Sequence, residues 1–270
     1  MTSTSESQPQ SRPVETVAVV AHGRKDVHEA VEQVRALATA AGARVVDEAR
    51  GADLAVALGG DGTILRTLAR LLGSDTPVIG VNYGRVGFLA SIQPDEVATQ
   101  LPRVFAGEYR VLELPTLEAS LGEETFVAVN DVVATSSTLG RMVELSGAVG
   151  GESLGTVPCD GMICATPSGS TAYNLSNGGP VLVRGLDAMA ITFIAPHSLH
   201  ARPLVVPRGQ TLTIKNETID VACAVLVDGH RSAELEPGAS LDVYLCRQRT
   251  LLATLPETSF FRRYREIFAS

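Results

Sequence analysis

Tryptophan is absent, and aromatic residues fill only 4% of the 270 positions. A large stacking surface is therefore not available. Positive charge is scarce too. Lys and Arg number 22 against 30 Asp and Glu, a net charge of −8. A general nucleic-acid binder needs clustered basic residues to displace counterions, so that class is excluded. A small anionic ligand stays open, because glycine-rich turns and backbone N–H groups bind phosphate without basic side chains. No apolar run reaches the roughly 20 residues of a membrane-spanning helix. The opening MTSTSESQPQSRP has no apolar stretch of the signal-peptide kind. Cysteine is limited to Cys159, Cys164, Cys223 and Cys246, with no CxxC pair and no disulfide-framework spacing. Zinc knuckles are excluded, and the expectation is reduced thiols in a soluble, cytoplasmic protein.

What is present is a chain 45% hydrophobic and 19% charged, which excludes disorder. Its length suits one large domain or two modest ones. Residues 1–13 read as a disordered tail. Strands are expected at 17–20, 53–58 and 77–81, with helices from about Asp26 to Ala41 and from Ile64 to Leu72. That alternation predicts a parallel α/β layer. After about residue 108 the texture changes to short Val-, Leu- and Thr-rich segments. They fall at 111–121, 125–134, 142–149, 162–166, 190–195, 211–214, 219–227 and 240–246. The fold class predicted is α/β plus β. A Rossmann-like domain spans 14–110 and a β-rich, sandwich-like domain 111–250. The segment 251–270, with the amphipathic FFRRYREIF, packs back on the body. Met142 and Met162 read as core filling.

Gly59-Gly60-Asp61-Gly62-Thr63 follows a buried strand and precedes a helix. Its glycines allow a sharp turn and close approach to phosphate, and the helix start offers N–H groups to an anion. Asp61 repels phosphate, so a carboxylate there makes sense as a base for a hydroxyl or as a metal ligand. A plain helix N-cap is the competing reading. Asp160-Gly161, followed by TPSGSTAY at 166–173, lines up small hydroxyl residues and glycine that suit a nucleotide, with Tyr173 able to face a ring. Asn130-Asp131 ends a strand and suits a base edge or ribose, or merely a turn. Asp228-Gly229-His230 is first of all a turn signal. His197 reads as a loop histidine. Arg66, Arg141 and Arg202 are candidate phosphate clamps.

Taken together and in order, these motifs resemble the NAD kinase family. The resemblance runs from about residue 15 to the C-terminus. It includes NYGRVGFL at 82–89, TPSGSTAYNLSNGGP at 166–180 and PHSLHARPL at 196–204. It implies phosphoryl transfer from ATP or polyphosphate to the 2′-hydroxyl of the adenosine ribose of NAD, with Mg2+ or another divalent metal. It also implies a site between two domains and a homodimer or homotetramer with parts of each site from a neighbouring subunit. Residue by residue, Asp61 would be the general base. Gly62 and Arg66 would line its pocket. Asn130, Asp131, Arg141 and Asp160 would hold nucleotide, with Thr171, Ala172, Tyr173, Asn174 and Ser176 forming its loop. Ala195 and His230 occupy nucleotide-contact positions, and no protein metal ligand is assigned. The pattern departs from the family at Asp131, usually Glu, and at Pro158, often Arg. A lipid or sugar kinase of the same superfamily, or a weak NAD(P)-binding sensor, are the alternative readings.

Overall fold

The computed structural model describes residues 12–21, 27–84 and 87–269. Most of the expected tail, the expected helix start at Asp26, and Arg85 and Val86 of the NYGRVGFL motif lie outside the described residues. The chain forms two compact units. One comprises 1–114 and 249–270, the other 115–248.

In the first unit the order is β1 (Thr16–Ala21), α1 (His28–Ala40), β2 (Arg44–Val46), β3 (Leu54–Gly59), α2 (Asp61–Arg70), β4 (Val78–Asn82) and α3 (Val97–Phe105). β2, β1, β3 and β4 lie side by side in that order, all parallel. β3 and β4 are apolar on both faces because helices cover them, as parallel sheets require. The core gathers Val17, Leu54, Val56 and Leu58 from strands with Val34, Ala38, Leu101 and Phe105 from helices. α3 was absent from the sequence expectation: Pro102 sits inside it and interrupts the helical signal. α2 starts at Asp61, three residues before the expected start.

The second unit holds β5 (Arg110–Leu121, from residue 115), β6 (Glu124–Ala128), β7 (Asp131–Ser136), β8 (Val143–Val149), β9 (Glu152–Cys159) and β10 (Gly161–Ala165). A turn at Gly169–Thr171 and the single-turn α4 (Tyr173–Ser176) follow. Then come β11 (Ala188–Ile194), β12 (Leu204–Pro207), β13 (Thr211–Asn216), β14 (Cys223–Val227), β15 (His230–Leu235) and β16 (Ser240–Thr254). The strand expected over 125–134 is two strands, broken at Val129-Asn130. β12, β11, β10, β7, β14 and β15 form an antiparallel sheet in that order. β16, β13, β8 and β9 form a second antiparallel set. Val132, Ala134, Met162, Cys164 and Val225 of the first face Leu145, Leu212, Ile214 and Val243 of the second in one core. This is the aligned packing of a sandwich, with every second residue turned inward.

β16 continues into the first unit, where Leu252 and Ala253 pair in parallel with Val78 and Ile79. α5 (Phe260–Phe268) then closes the chain there, with Phe260 and Phe268 each about 6 Å from the ring of Phe88. One expectation is corrected: Met142 is 44% exposed, whereas Met162 is fully buried. We predict that Met162→Ala destabilises the protein by about 2–5 kcal/mol through the cavity it leaves. Met142→Ala should stay within about 0.5 kcal/mol of wild type. Urea unfolding of both variants checks the pair.

Candidate active site

β3 delivers the chain into Gly60, the N-cap of α2, so Asp61 is the first helical residue. Its side chain does not cap the helix. Asp61 Oδ2 accepts the backbone N–H of Phe88 at 2.7 Å, and Oδ1 accepts that of Leu89 at 3.2 Å. The partly exposed carboxylate thus fixes the loop after β4, and each oxygen keeps a second lone pair. Gly87 permits this approach, because a Cβ there would stand among the Asp61 carboxylate atoms. Gly62 and Arg66 lie exposed one and five residues on, and Arg66 reaches Thr63 Oγ1 only at 3.4 Å.

In the second unit one carboxylate organises a corner. Asp228, in the turn between β14 and β15, has φ +48°. Its Oδ1 accepts the N–H groups of Asn130 (2.7 Å) and Asp131 (3.2 Å), and its Oδ2 accepts that of Val129 (2.9 Å). The Asp228 N–H returns a bond to the Asp131 carbonyl, and His230 Nδ1 lies 3.1 Å from the Asp228 carbonyl. The glycine-rich loop docks on the same corner. Thr166 donates its N–H to the Asn130 carbonyl and its hydroxyl to that of Val129. Gly169 is required here, since a Cβ would enter the Asn130 carbonyl group.

Two oxygens in this corner are buried without a partner: Asn130 Oδ1 and Ser168 Oγ. An orphaned buried polar atom costs free energy unless a water or a ligand satisfies it, and Ser91 Oγ, Arg35 Nε and Arg208 Nη2 share that condition elsewhere. Ser168, 8% exposed, was read only as one of the hydroxyl residues of the 166–173 loop and given no individual role. Asp228 was read as a turn former within the Asp228-Gly229-His230 motif of the family resemblance and was given no role of its own; no local signal links it to residues nearly 100 positions away.

Asp131 is 5% exposed. Burial, and then the Asp228 charge, push its carboxyl up to about 7. Burial also raises Asp228, although its three N–H donors and His230 pull it back. The hydroxyls of the loop are largely spent within the unit. Ser170 Oγ donates to the Pro167 carbonyl and accepts from Leu182 N–H, and Thr171 Oγ1 donates to the Ser168 carbonyl. Asn174 of the expected loop is fully buried: its amide donates to the Ser170 and Pro180 carbonyls and its Oδ1 accepts from the Thr192 hydroxyl. Tyr173 and Ser176 are exposed, while Thr171 and Ala172 are partly so.

Strand register divides the sequence-predicted residues of this unit into two groups. Asp131 pairs with Ala165 at one end of β10, beside Asn130, Asp228 and His230. Gly161 pairs with Thr135 and Ile194 at the other end, about 13 Å away at the usual rise per strand residue. There lie exposed Asp160 and Ala195, the latter with φ +43°. Arg141 is also exposed and is paired with Asp220 at 2.9 Å. Arg202 binds the carbonyls of Leu199 and Ala201, so it is committed to its own loop.

Among the described residues no three His, Cys, Asp or Glu side chains converge to hold a metal. The four cysteines are free and buried, and burial pushes the thiols of Cys159 and Cys223 up to about 11 and 12. They are unreactive core residues. No described helix is long and apolar enough to cross a membrane.

Residues 12–109 match the family model described as ATP-NAD kinase N-terminal domain, and 129–255 the ATP-NAD kinase C-terminal domain. The chain belongs to the NAD kinase family. An NAD kinase from Heliobacterium modesticaldum is 40% identical over 82% of this chain and 80% of that protein. One from Natranaerobius thermophilus is 35% identical over 80% and 77%. Among solved structures, yeast NADH kinase complexed with NADH shares the fold, with a TM-score of 0.84 at 24% identity over 96% of this chain and 88% of that one. The NAD kinase from Archaeoglobus fulgidus in complex with ATP has a TM-score of 0.75 at 25% identity, over 94% and 97%.

The Asp131 shift carries a stability consequence. Its folded value lies above the unfolded one, so its contribution is fully present below about pH 4 and lost as pH rises to about 7. Stability therefore falls steadily as pH rises through that window. Asp131→Asn should remove this slope, which thermal unfolding between pH 4.5 and 8 would reveal as a flatter stability profile than wild type.

Proposed function

We propose that the protein is an NAD kinase that transfers the terminal phosphoryl group of ATP or polyphosphate to the 2′-hydroxyl of the adenosine ribose of NAD, giving NADP. The observation that carries this reading is the match to both NAD kinase domains in one chain, with Asp61 of GGDGT held as an exposed-edge carboxylate by two backbone amides. Phosphoryl transfer asks the protein for positioning and charge neutralisation more than for covalent chemistry. As the ribose oxygen bonds to the terminal phosphorus, the bridging P–O bond breaks and the shortened donor leaves. Asp61 takes the hydroxyl proton on a remaining lone pair. Fixing that carboxylate beforehand reduces the ordering left for the reaction itself.

Asn130 Oδ1 is an acceptor and suits an amine or hydroxyl of the nucleotide. Ser168 Oγ can donate or accept. Gly62 and Arg66 are proposed beside Asp61. Thr171, Ala172, Tyr173, Asn174 and Ser176 form the loop, in which Asn174 shapes the backbone and does not itself reach ligand. Asp131 and His230 complete the corner. Arg141, Asp160 and Ala195, exposed at the far end of β10, suit nucleotide in a homodimer or homotetramer. A divalent cation such as Mg2+ neutralises phosphate charge in reactions of this type. Among the described residues no His, Cys, Asp and Glu side chains gather into a cage for one, and the donor phosphates and water can hold such an ion. Four buried, reduced thiols fit the cytoplasm.

Purified full-length protein with NAD and magnesium, given ATP or polyphosphate in separate reactions, should form NADP with at least one donor. No NADP with either would contradict the proposal. Asp61→Asn should bind NAD but lose at least about 100-fold in kcat, the scale of a lost general base. Retained activity would remove Asp61 from that role. Ser168→Ala should raise the KM for NAD several-fold with kcat little changed, as steady-state kinetics will show.

A further inference from the structure

The corner at Asn130 is held by a residue that need not touch nucleotide at all. Three successive N–H groups, from Val129, Asn130 and Asp131, converge on one carboxylate supplied by a turn about 98 positions later. Successive N–H groups do not point the same way in a strand. Their convergence requires the break between β6 and β7, and it makes a small anion-binding nest whose anion is the protein's own side chain. Asp228 also adopts a left-handed backbone, one of two non-glycine residues to do so among the described residues. That conformation costs on the order of 1 kcal/mol for a residue other than glycine. It persists here because it aims the carboxylate at the nest and the carbonyl at His230.

From this geometry we infer that Asp228 is a positioning residue for nucleotide binding, acting by locking the 129–131 turn so that Asn130, Asp131 and Ser168 are presented in fixed register. The inference rests on the NAD kinase reading. The chain of contacts is short. Asp228 holds the Asn130 backbone, the Asn130 carbonyl holds Thr166 N–H, and Thr166 Oγ1 accepts the Gly169 N–H two residues before Thr171. Without the carboxylate, three N–H groups in a largely buried corner lose their acceptor and the turn must open to reach water. The orphaned oxygens of Asn130 and Ser168 then lose their common placement. Asp131, whose carboxyl is raised first by burial and then by the Asp228 charge, also loses that charged neighbour.

Asp228→Ala and the isosteric Asp228→Asn separate this role from a general loss of folded protein. A purely structural defect lowers the active fraction, so kcat falls while both KM values stay unchanged. The inference expects the KM for NAD to rise at least about tenfold in Asp228→Ala, with the donor KM within about threefold of wild type. Asp228→Asn, which keeps one acceptor oxygen, should fall between. NAD affinity measured without donor should weaken in parallel. An unchanged KM for NAD in folded variants overturns the inference, as does an equal loss in both KM values. Should neither variant fold, amide hydrogen exchange on the wild type decides. Slow exchange at 129–131 in the free protein supports the lock, and fast exchange there overturns it. Failure of the wild type to make NADP would instead remove the function on which the inference rests.

Discussion

Turns and strand starts leave backbone N–H groups with no partner in a helix or sheet, and each must find an acceptor. In this protein aspartate carboxylates supply it repeatedly. Asp61 accepts from Phe88 and Leu89, and Asp228 from Val129, Asn130 and Asp131. Asp53 does the same for Glu15 and Thr16 at the start of β1. Charge-assisted bonds of this kind are about twice as strong as neutral ones, and they tie together segments that lie far apart in sequence. The same bonds that satisfy the turns also fix where the remaining lone pairs point.

The second unit adds a constraint of its own. Its six-stranded sheet is buried on both faces at the centre, with Val132 and Met162 toward one core and Val133 and Ile163 toward another. Nothing polar can be placed along the middle of β7 or β10 without a partner, so chemistry is confined to the strand ends. Among the described residues the two non-glycine ones with positive φ, Ala195 and Asp228, sit at opposite ends of that sheet. Strain stored at such points survives only where surrounding bonds over-determine it. For Asp228 those bonds are visible; at Ala195 the backbone simply turns out of β11 into an exposed loop.

The parallel strands β1, β3 and β4 and the GGDGT turn were legible because their signals are local: a short apolar run, then glycines, then helical period; β2, only the three residues Arg44–Val46, was not expected. β9 was not, since ESLGTVPC is mostly exposed, carries Gly155 and Pro158, and lacks alternation. β15 was hidden likewise by its polar sequence, HRSAEL. Met142 looked like core by residue type alone, yet it lies in the exposed loop before β8. In the candidate site, Asp61, Asn130 and the glycine loop announced themselves by composition. Asp228 and Ser168 lay inside motifs already noted, but their individual parts stayed hidden, because a three-donor nest and an orphaned hydroxyl are properties of packing. Asn174 illustrates the converse: a polar side chain inside a nucleotide-like motif was consumed by the backbone of its own loop.

The account turns on what the Asp61 carboxylate faces when substrate is bound. A crystal structure of the protein with NAD and an unreactive ATP analogue would measure that directly. The account predicts the adenosine ribose 2′-hydroxyl within about 2.6–3.2 Å of an Asp61 oxygen, the reach of a general base. A different hydroxyl at that position, or a carboxylate out of hydrogen-bond reach of the ribose, would contradict it.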